Sequence, residues 1–303
     1  MRGQDNRPPP CLCDGIAPWT SVQSVTRVGV HQSIPVPVRG VINRTRKSAN
    51  RVRFLRKHRL LKHYGGSLAD PVGRRYVLLD PELDNFTYDL DNEHELVSVL
   101  STALARTEEE IASYFAEAHD DAALHQLPRR PLSQKTTPQY ARRLGWYAIA
   151  RALKPEVVVE TGIHSGLGSV LLLRALDRNG FGLLLSFDVD PKAGWLVPGA
   201  LRAHWRTIVG KTTDTLEGAI AGRTVGMVVH DSDHSYDCEY FELTTALAHA
   251  APEIAVVSDN SHVTTALPDV LREFGVSPHF FRERPRGHFY PGATLGVGIV
   301  RRP

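Results

Sequence analysis

An α/β chain built around a doubly wound, mainly parallel sheet is what this sequence predicts, and three observations predict it. From residue 156 onward, short apolar runs of strand length alternate with stretches of helical spacing. The first run, Val157-Val158-Val159, leads straight into a glycine-rich turn, Gly162 to Gly168, and then into a helical stretch from Val170 to Leu176. The later runs end in acids and small polar residues, and the carboxyl ends of parallel strands are where such sheets bind ligands.

Taken in order, strands are expected at 156–160, 183–188, 206–209, 225–230 and 254–258. Helices at about 166–177, 211–220, 235–250 and 263–274 fill the gaps, and helical crossovers between strands imply parallel pairing. The segments 278–282 and 294–300, joined by a Pro/Gly-rich connection, read as a closing antiparallel pair at the sheet edge. Upstream, Leu96, Val99, Leu100, Ala103 and Leu104 repeat at helical spacing within 94–118. Thr107-Glu108-Glu109-Glu110 inside that span reads as a fresh N-cap and acidic first turn. Pro128 and Pro131 mark a break, and Thr136-Thr137-Pro138 opens a helix that carries Trp146, Ile149 and Leu153 on one side. Three regions result: a disordered tail over 1–45, a basic then acidic helical region over 46–135, and the α/β domain over 136–303.

Composition narrows the function classes. The 303 residues are 42% apolar and 23% charged, the balance of a soluble folded chain. No apolar run approaches the ~20 residues that span a bilayer, and Pro8-Pro9-Pro10 interrupts any secretory signal pattern, so a cytoplasmic location is expected. Three cysteines, Cys11, Cys13 and Cys238, support no disulfide framework. Charge is uneven: residues 1–79 hold 15 basic and 3 acidic groups, whereas 80–126 hold 1 and 13. The basic stretch 44–63 could meet an anionic surface, but it interleaves no aromatic to stack on bases, and packing against the acidic run is favoured over nucleic acid. The sequence leaves a homo-oligomer open.

The rim residues carry the chemistry. Gly162 and Gly166 lack a Cβ and so admit close approach to the backbone, beside a helix start that offers unpaired N–H groups. Asp188 ends the second strand 28 residues after Glu160, where a carboxylate can accept from both hydroxyls of a ribose. Asp190, before Pro191, fits a helix N-cap. Ile208 to Thr212 ends the third strand, where backbone and small polar groups would meet an adenine ring. Adjacent strand ends bring Asp231 beside Asp259 and Asn260, a set of hard oxygen ligands suited to Mg²⁺, with a capped and hydrogen-bonded acid cluster as the alternative.

The chain from about Gln139 to Val300 resembles the class I S-adenosylmethionine-dependent methyltransferases. The residues that carry the resemblance are Glu160-Thr161-Gly162-Ile163-His164-Ser165-Gly166-Leu167-Gly168-Ser169, then His230-Asp231-Ser232-Asp233-His234-Ser235-Tyr236-Asp237, then Val257-Ser258-Asp259-Asn260. It is most similar to the cation-dependent small-molecule O-methyltransferases, both the catechol and caffeoyl-CoA type and the bacterial sugar and antibiotic type. The resemblance implies a Rossmann-like sheet, S-adenosylmethionine and Mg²⁺ as cofactors, and a small-molecule hydroxyl acceptor. It implies that Glu160, Gly162, Ser165 and Gly166 meet the methionine end of the cofactor, with Asp188 at the ribose and Thr212 and Asp231 also in contact. Asp231, Asp259 and Asn260 are the implied metal ligands. The base is left between two residues, because catechol-type enzymes carry a lysine at the position of His234 and the sugar-modifying relatives use the aspartate position of Asp233. Two other readings stay open: a metal-independent or hydroxylase-like relative, and a binding protein that uses the basic N-terminal arm.

Overall fold

The computed structural model describes residues 88–127, 140–286 and 292–302. The expected tail over 1–45, the basic helix over 44–63, the break at Pro128 and Pro131 and the helix start at 136–138 lie outside the described residues.

The fold starts with α1 (Glu93–Leu104), α2 (Glu108–His119) and the single turn α3 (Ala122–His125). The expected interruption is real. Ala105 adopts a left-handed conformation that ends α1, and the Thr107 hydroxyl then accepts from the backbone N–H of Glu110 to cap α2. A 3₁₀ turn (Ala141–Arg143) runs into α4 (Leu144–Leu153).

From here strand and helix alternate as β1 (Val157–Thr161), α5 (Leu167–Asn179), β2 (Leu183–Asp188), β3 (Trp205–Val209), α6 (Thr212–Ile220), β4 (Val225–His230), α7 (Tyr236–Ala248), β5 (Ala250–Asp259), α8 (Ala266–Glu273), β6 (His279–Arg282) and β7 (Thr294–Arg301). A 3₁₀ segment (Gly199–His204), in place of a helix, fills the β2–β3 connection. The sheet order is β3-β2-β1-β4-β5-β7-β6. The pairs among β1 to β5 are parallel, and β7 runs antiparallel to both β5 and β6. The closing antiparallel pair is therefore present, with β7 inside the sheet and β6 on its edge.

Period-two alternation on the strands sorts the core into two layers. Val158, Met227, Val229, Ala255, Val257 and Leu295 face the helices α1, α2, α4 and α5, with Trp146 and Tyr147 fully buried among them. Val157, Val159, Phe187, Val228 and Val256 face α6, α7 and α8, against Leu216, Leu243 and Val270. The buried residues of α1 and α2 thus belong to the same core as the sheet. Acids in and beside these helices pair with arginines of the α/β part: Glu117 with Arg151, Asp121 with Arg174 and Arg178, Glu95 with Arg284, and Asp91 with Arg286.

Strand order reverses between β1 and β4, because the chain adds β2 and β3 on one side before crossing to the other. That switch point opens a crevice at the carboxyl ends of the strands.

Candidate active site

The registers fix what stands at the rim. Thr161 of β1 pairs with Phe187 of β2 and with His230 of β4, and His230 pairs with Ser258 of β5. The residues one step further, Gly162, Asp188, Asp231 and Asp259, therefore crowd the same edge.

On the β1–β2 side, both carboxylates are held by neutral donors. Asp188 Oδ2 accepts from the backbone N–H groups of Ile163 and His164, each at 2.9 Å, and Oδ1 accepts from Asp190 N at 2.9 Å. Asp188 therefore tethers the glycine-rich loop to the end of β2. Asp190 caps a turn, its carboxylate accepting from Lys192 N, and does not start a helix. Glu160 lies below the loop at 1% exposure, its Oε2 accepting from Ser169 Oγ at 2.7 Å and Ser186 Oγ at 2.6 Å. Burial pushes this carboxyl up to about 7, against the pull of those two hydroxyls.

The two loop glycines have a packing role in addition to the one expected. A Cβ on Gly162 (φ +84°) would meet the Asp231 carbonyl oxygen at 2.2 Å, and one on Gly166 (φ +91°) would meet Gly194 Cα at 2.9 Å. The missing side chains admit neighbouring backbone, so chain packing by itself already requires glycine at these two positions. Ser165 is buried beneath the loop, its carbonyl accepting from Leu196 N. Gly166 opens α5 with no side-chain cap, which leaves the helix start to an incoming acceptor. Thr212 turns its hydroxyl inward to Glu242 at 2.7 Å, so its side chain is committed away from the rim.

The β4–β5 side is held by guanidinium groups. Arg142 donates through Nε to Asp259 Oδ1 at 2.7 Å and through Nη2 to Asp259 Oδ2 at 2.5 Å, while its Nη1 donates to Glu283 Oε1 at 2.7 Å. Arg143 Nη2 lies 3.3 Å from Asp231 Oδ2. Burial raises the Asp259 carboxyl, but Arg142 outweighs it and holds Asp259 ionised, well below the usual carboxylate range. For Asp231, burial and the adjoining Asp259 charge act together, and its carboxyl sits well above that range. Asn260, at φ +54°, donates through Nδ2 to Asp259 Oδ2 at 3.2 Å and contacts His234 Nε2 at 3.0 Å.

The expected metal set converges in space, but it does not fit a hard divalent ion. Both oxygens of Asp259 face one guanidinium, Asp231 faces another, and Asn260 turns its nitrogen, not its oxygen, toward Asp259. Among the described residues no three His, Cys, Asp or Glu side chains converge as a ligand set. The two base candidates separate as well. Asp233 is exposed, whereas His234 is half-buried, with Nε2 3.8 Å from Asp231 Oδ1. Burial and the neighbouring His230 ring keep His234 below its usual range, and so neutral near pH 7.

Residues 159–261 match the family model described as a methyltransferase domain. Over those residues, β1 to just past β5, the chain is similar to a methyltransferase domain. The seven-stranded sheet agrees with the Rossmann-like sheet that the resemblance implies, and β7 with β6 forms the closing antiparallel pair read from the sequence. No curated protein sequence matches the chain significantly. Among solved structures, a cofactor-bound protein from MTB is similar at 16% identity, covering 71% of this chain and 100% of its own, with a TM-score of 0.45. An O-methyltransferase from Bacillus cereus in complex with SAH is similar at 12% identity, 69% and 97% coverage and a TM-score of 0.43. The O-methyltransferase TomG from Streptomyces achromogenes, involved in tomaymycin synthesis and solved with SAM, is similar at 17% identity, 71% and 100% coverage and a TM-score of 0.42.

Several residues at this rim have no clear signal in the sequence. Arg142 and Arg143 stand at the amino end of α4, where the helix dipole disfavours cations. Two adjacent arginines there signal acidic partners elsewhere. Glu242 is fully buried and accepts from Thr161 Oγ1 at 2.5 Å, His230 Nδ1 at 2.6 Å, Thr212 Oγ1 and Ser232 Oγ, knotting β1, β4, α6 and α7 under the rim. Its signal was its place four residues before Ala246, on the helix face that buries Leu243 and Ala246. Two arginines after β6 are committed to the helical part: Arg284 pairs with Glu95 and Arg286 with Asp91.

Proposed function

We propose that this chain transfers a methyl group from S-adenosylmethionine to a hydroxyl oxygen of a small molecule such as a sugar, antibiotic or phenolic scaffold. The observation that carries the reading is the pair of carboxylates, Glu160 and Asp188, on either side of a glycine-rich loop at the switch point of the sheet. Asp188 would accept from the ribose hydroxyls while tethering the loop, and the uncapped start of α5 would receive the carboxylate of the methionine moiety. Glu160 acts from beneath, as a buried negative charge or hydrogen-bond partner of the loop, and not as a first contact.

The sulfonium of the donor is already a good leaving group, so the protein's task is to line up hydroxyl, methyl and sulfur and to take one proton. His234 is the base favoured here. It is half-buried beside Asp231 and Asn260, and its Nε2 would take the proton of an acceptor hydroxyl that displaces the Asn260 amide from that nitrogen. Asp233 is exposed and stands apart from that group. No step is routed through a metal ion, because Asp231 and Asp259 already carry guanidinium partners.

Calorimetry with S-adenosylmethionine, followed by a screen of hydroxyl acceptors read as S-adenosylhomocysteine release, tests the proposal. Binding that weakens in Asp188→Ala is expected, and a folded wild-type chain with no heat of binding would end the reading. His234→Ala should lower kcat by roughly 10²–10⁴-fold.

A further inference from the structure

We infer that the Arg142 guanidinium is the resident cation of the β4–β5 rim, standing on the carboxylates that a divalent metal ion would otherwise require. The inference depends on the proposed methyl transfer only for its catalytic meaning, since its charge argument is independent of the reaction.

Hard ions such as Mg²⁺ and Mn²⁺ need carboxylate lone pairs open to them at about 2.0–2.2 Å. Here Asp259 gives both oxygens to Arg142 in a bidentate fork, and Oδ2 accepts from Asn260 as well. The fork is the planar geometry in which arginine and a carboxylate match best. Arg142 is pinned from its other side by Glu283, whose Oε1 also accepts from Ala293 N. The arginine side chain is 4% exposed, and both carboxylates facing it are fully buried. Swinging it aside would strand two buried carboxylates, so the guanidinium is a fixture of the fold and not a movable gate. A divalent ion arriving at Asp231 would meet this charge and that of Arg143 together.

The consequence is a division of labour between the two aspartates. Arg142 keeps Asp259 ionised and fixed, and Asp259 in turn holds the Asn260 amide that touches His234. Arg142 is thus a positioning residue, acting on the base through Asp259 and Asn260. Unlike a metal ion it cannot be exchanged or chelated.

The test is a titration of the chelator-treated full-length chain with Mn²⁺, followed by the electron paramagnetic resonance signal of the free ion. Wild type should show no stoichiometric site up to about 1 mM. Arg142→Ala frees Asp259 and Glu283, and should gain one Mn²⁺ site at least about ten-fold tighter than anything in wild type. Adding Asp259→Asn should abolish that gain. Stoichiometric Mn²⁺ binding by wild type that disappears in Asp259→Asn overturns the inference, and so does a folded Arg142→Ala chain that binds no Mn²⁺. Should circular dichroism show Arg142→Ala unfolded, the wild-type titration decides alone. Calorimetry with S-adenosylmethionine on the same samples separates the two readings. A wild-type chain that fails to bind it removes the proposed function and leaves the Mn²⁺ result standing, whereas Mn²⁺ binding in a chain that does bind it removes only this inference.

Discussion

The two halves of the rim hold their carboxylates in opposite ways. At the β1–β2 end, Asp188 and Glu160 accept from backbone N–H groups and serine hydroxyls. At the β4–β5 end, Asp259, Asp231 and Glu283 face Arg142 and Arg143. Neutral donors orient a carboxylate without supplying a compensating charge, so burial dominates at Glu160 and pushes its carboxyl up to about 7. Guanidinium partners cancel charge on the spot, so the second half is near balance before any ligand arrives. The difference teaches that similar acid-bearing strand ends can serve unlike ends within one crevice, and that an acid's role follows from its partner.

The sharpest way to break the comparison is to remove the guanidinium. Arg142→Ala leaves Asp259 and Glu283 buried without their cation, and should lower the unfolding free energy by about 3–5 kcal/mol in urea titration. A loss no larger than that of a surface substitution would show that the two halves are not differently built.

Next in size is the pH response of Glu160, which reads the neutral-donor half. Its carboxyl titrates at about 7 in the folded chain, against 4.5 as a reference for the unfolded chain. The unfolded state therefore releases its proton first as pH rises. The group's contribution to stability falls between about pH 4.5 and 7 and is level above that, a change of about 3 kcal/mol. Unfolding free energies of wild type and Glu160→Gln should diverge across that window, wild type losing more. Parallel curves would mean that the buried carboxyl ionises freely.

A smaller effect is expected from Asp188→Ala, which removes the loop tether and the ribose acceptor without stranding a buried charge. Affinity for S-adenosylmethionine should weaken by about 1–3 kcal/mol in calorimetry. The smallest belongs to Asp233→Ala. An exposed aspartate outside the buried network should leave turnover within about a factor of two, so a loss as deep as that of His234→Ala would return the base to Asp233.

Much of this molecule was legible beforehand. The β2 and β4 boundaries, 183–188 and 225–230, came out as the apolar runs indicated, and the Thr107 cap interrupted the helical stretch where its chemistry said it would. The convergence of Asp231 with Asp259 followed from strand adjacency. What escaped was the content of the spaces between elements. At Gly162 nothing in the sequence marked the chain crossing, because the Asp231 carbonyl arrives from another strand. The Thr212 hydroxyl donates to Glu242, a partner on another helix that no local pattern announces.

Periodicity, capping and turn chemistry are properties of a few neighbouring residues, and through them the sequence by itself determined the α/β alternation, the glycine-loop geometry and the acids at the strand ends. Which partner each acid takes was decided only by the tertiary structure. Arg142 lies 117 residues before Asp259 in the chain, and no local pattern records a pairing that exists only once the sheet and α4 have packed together. The choice between a metal ion and a guanidinium at this rim is of that second kind, because it turns on which positive charge the folded chain itself places against Asp259.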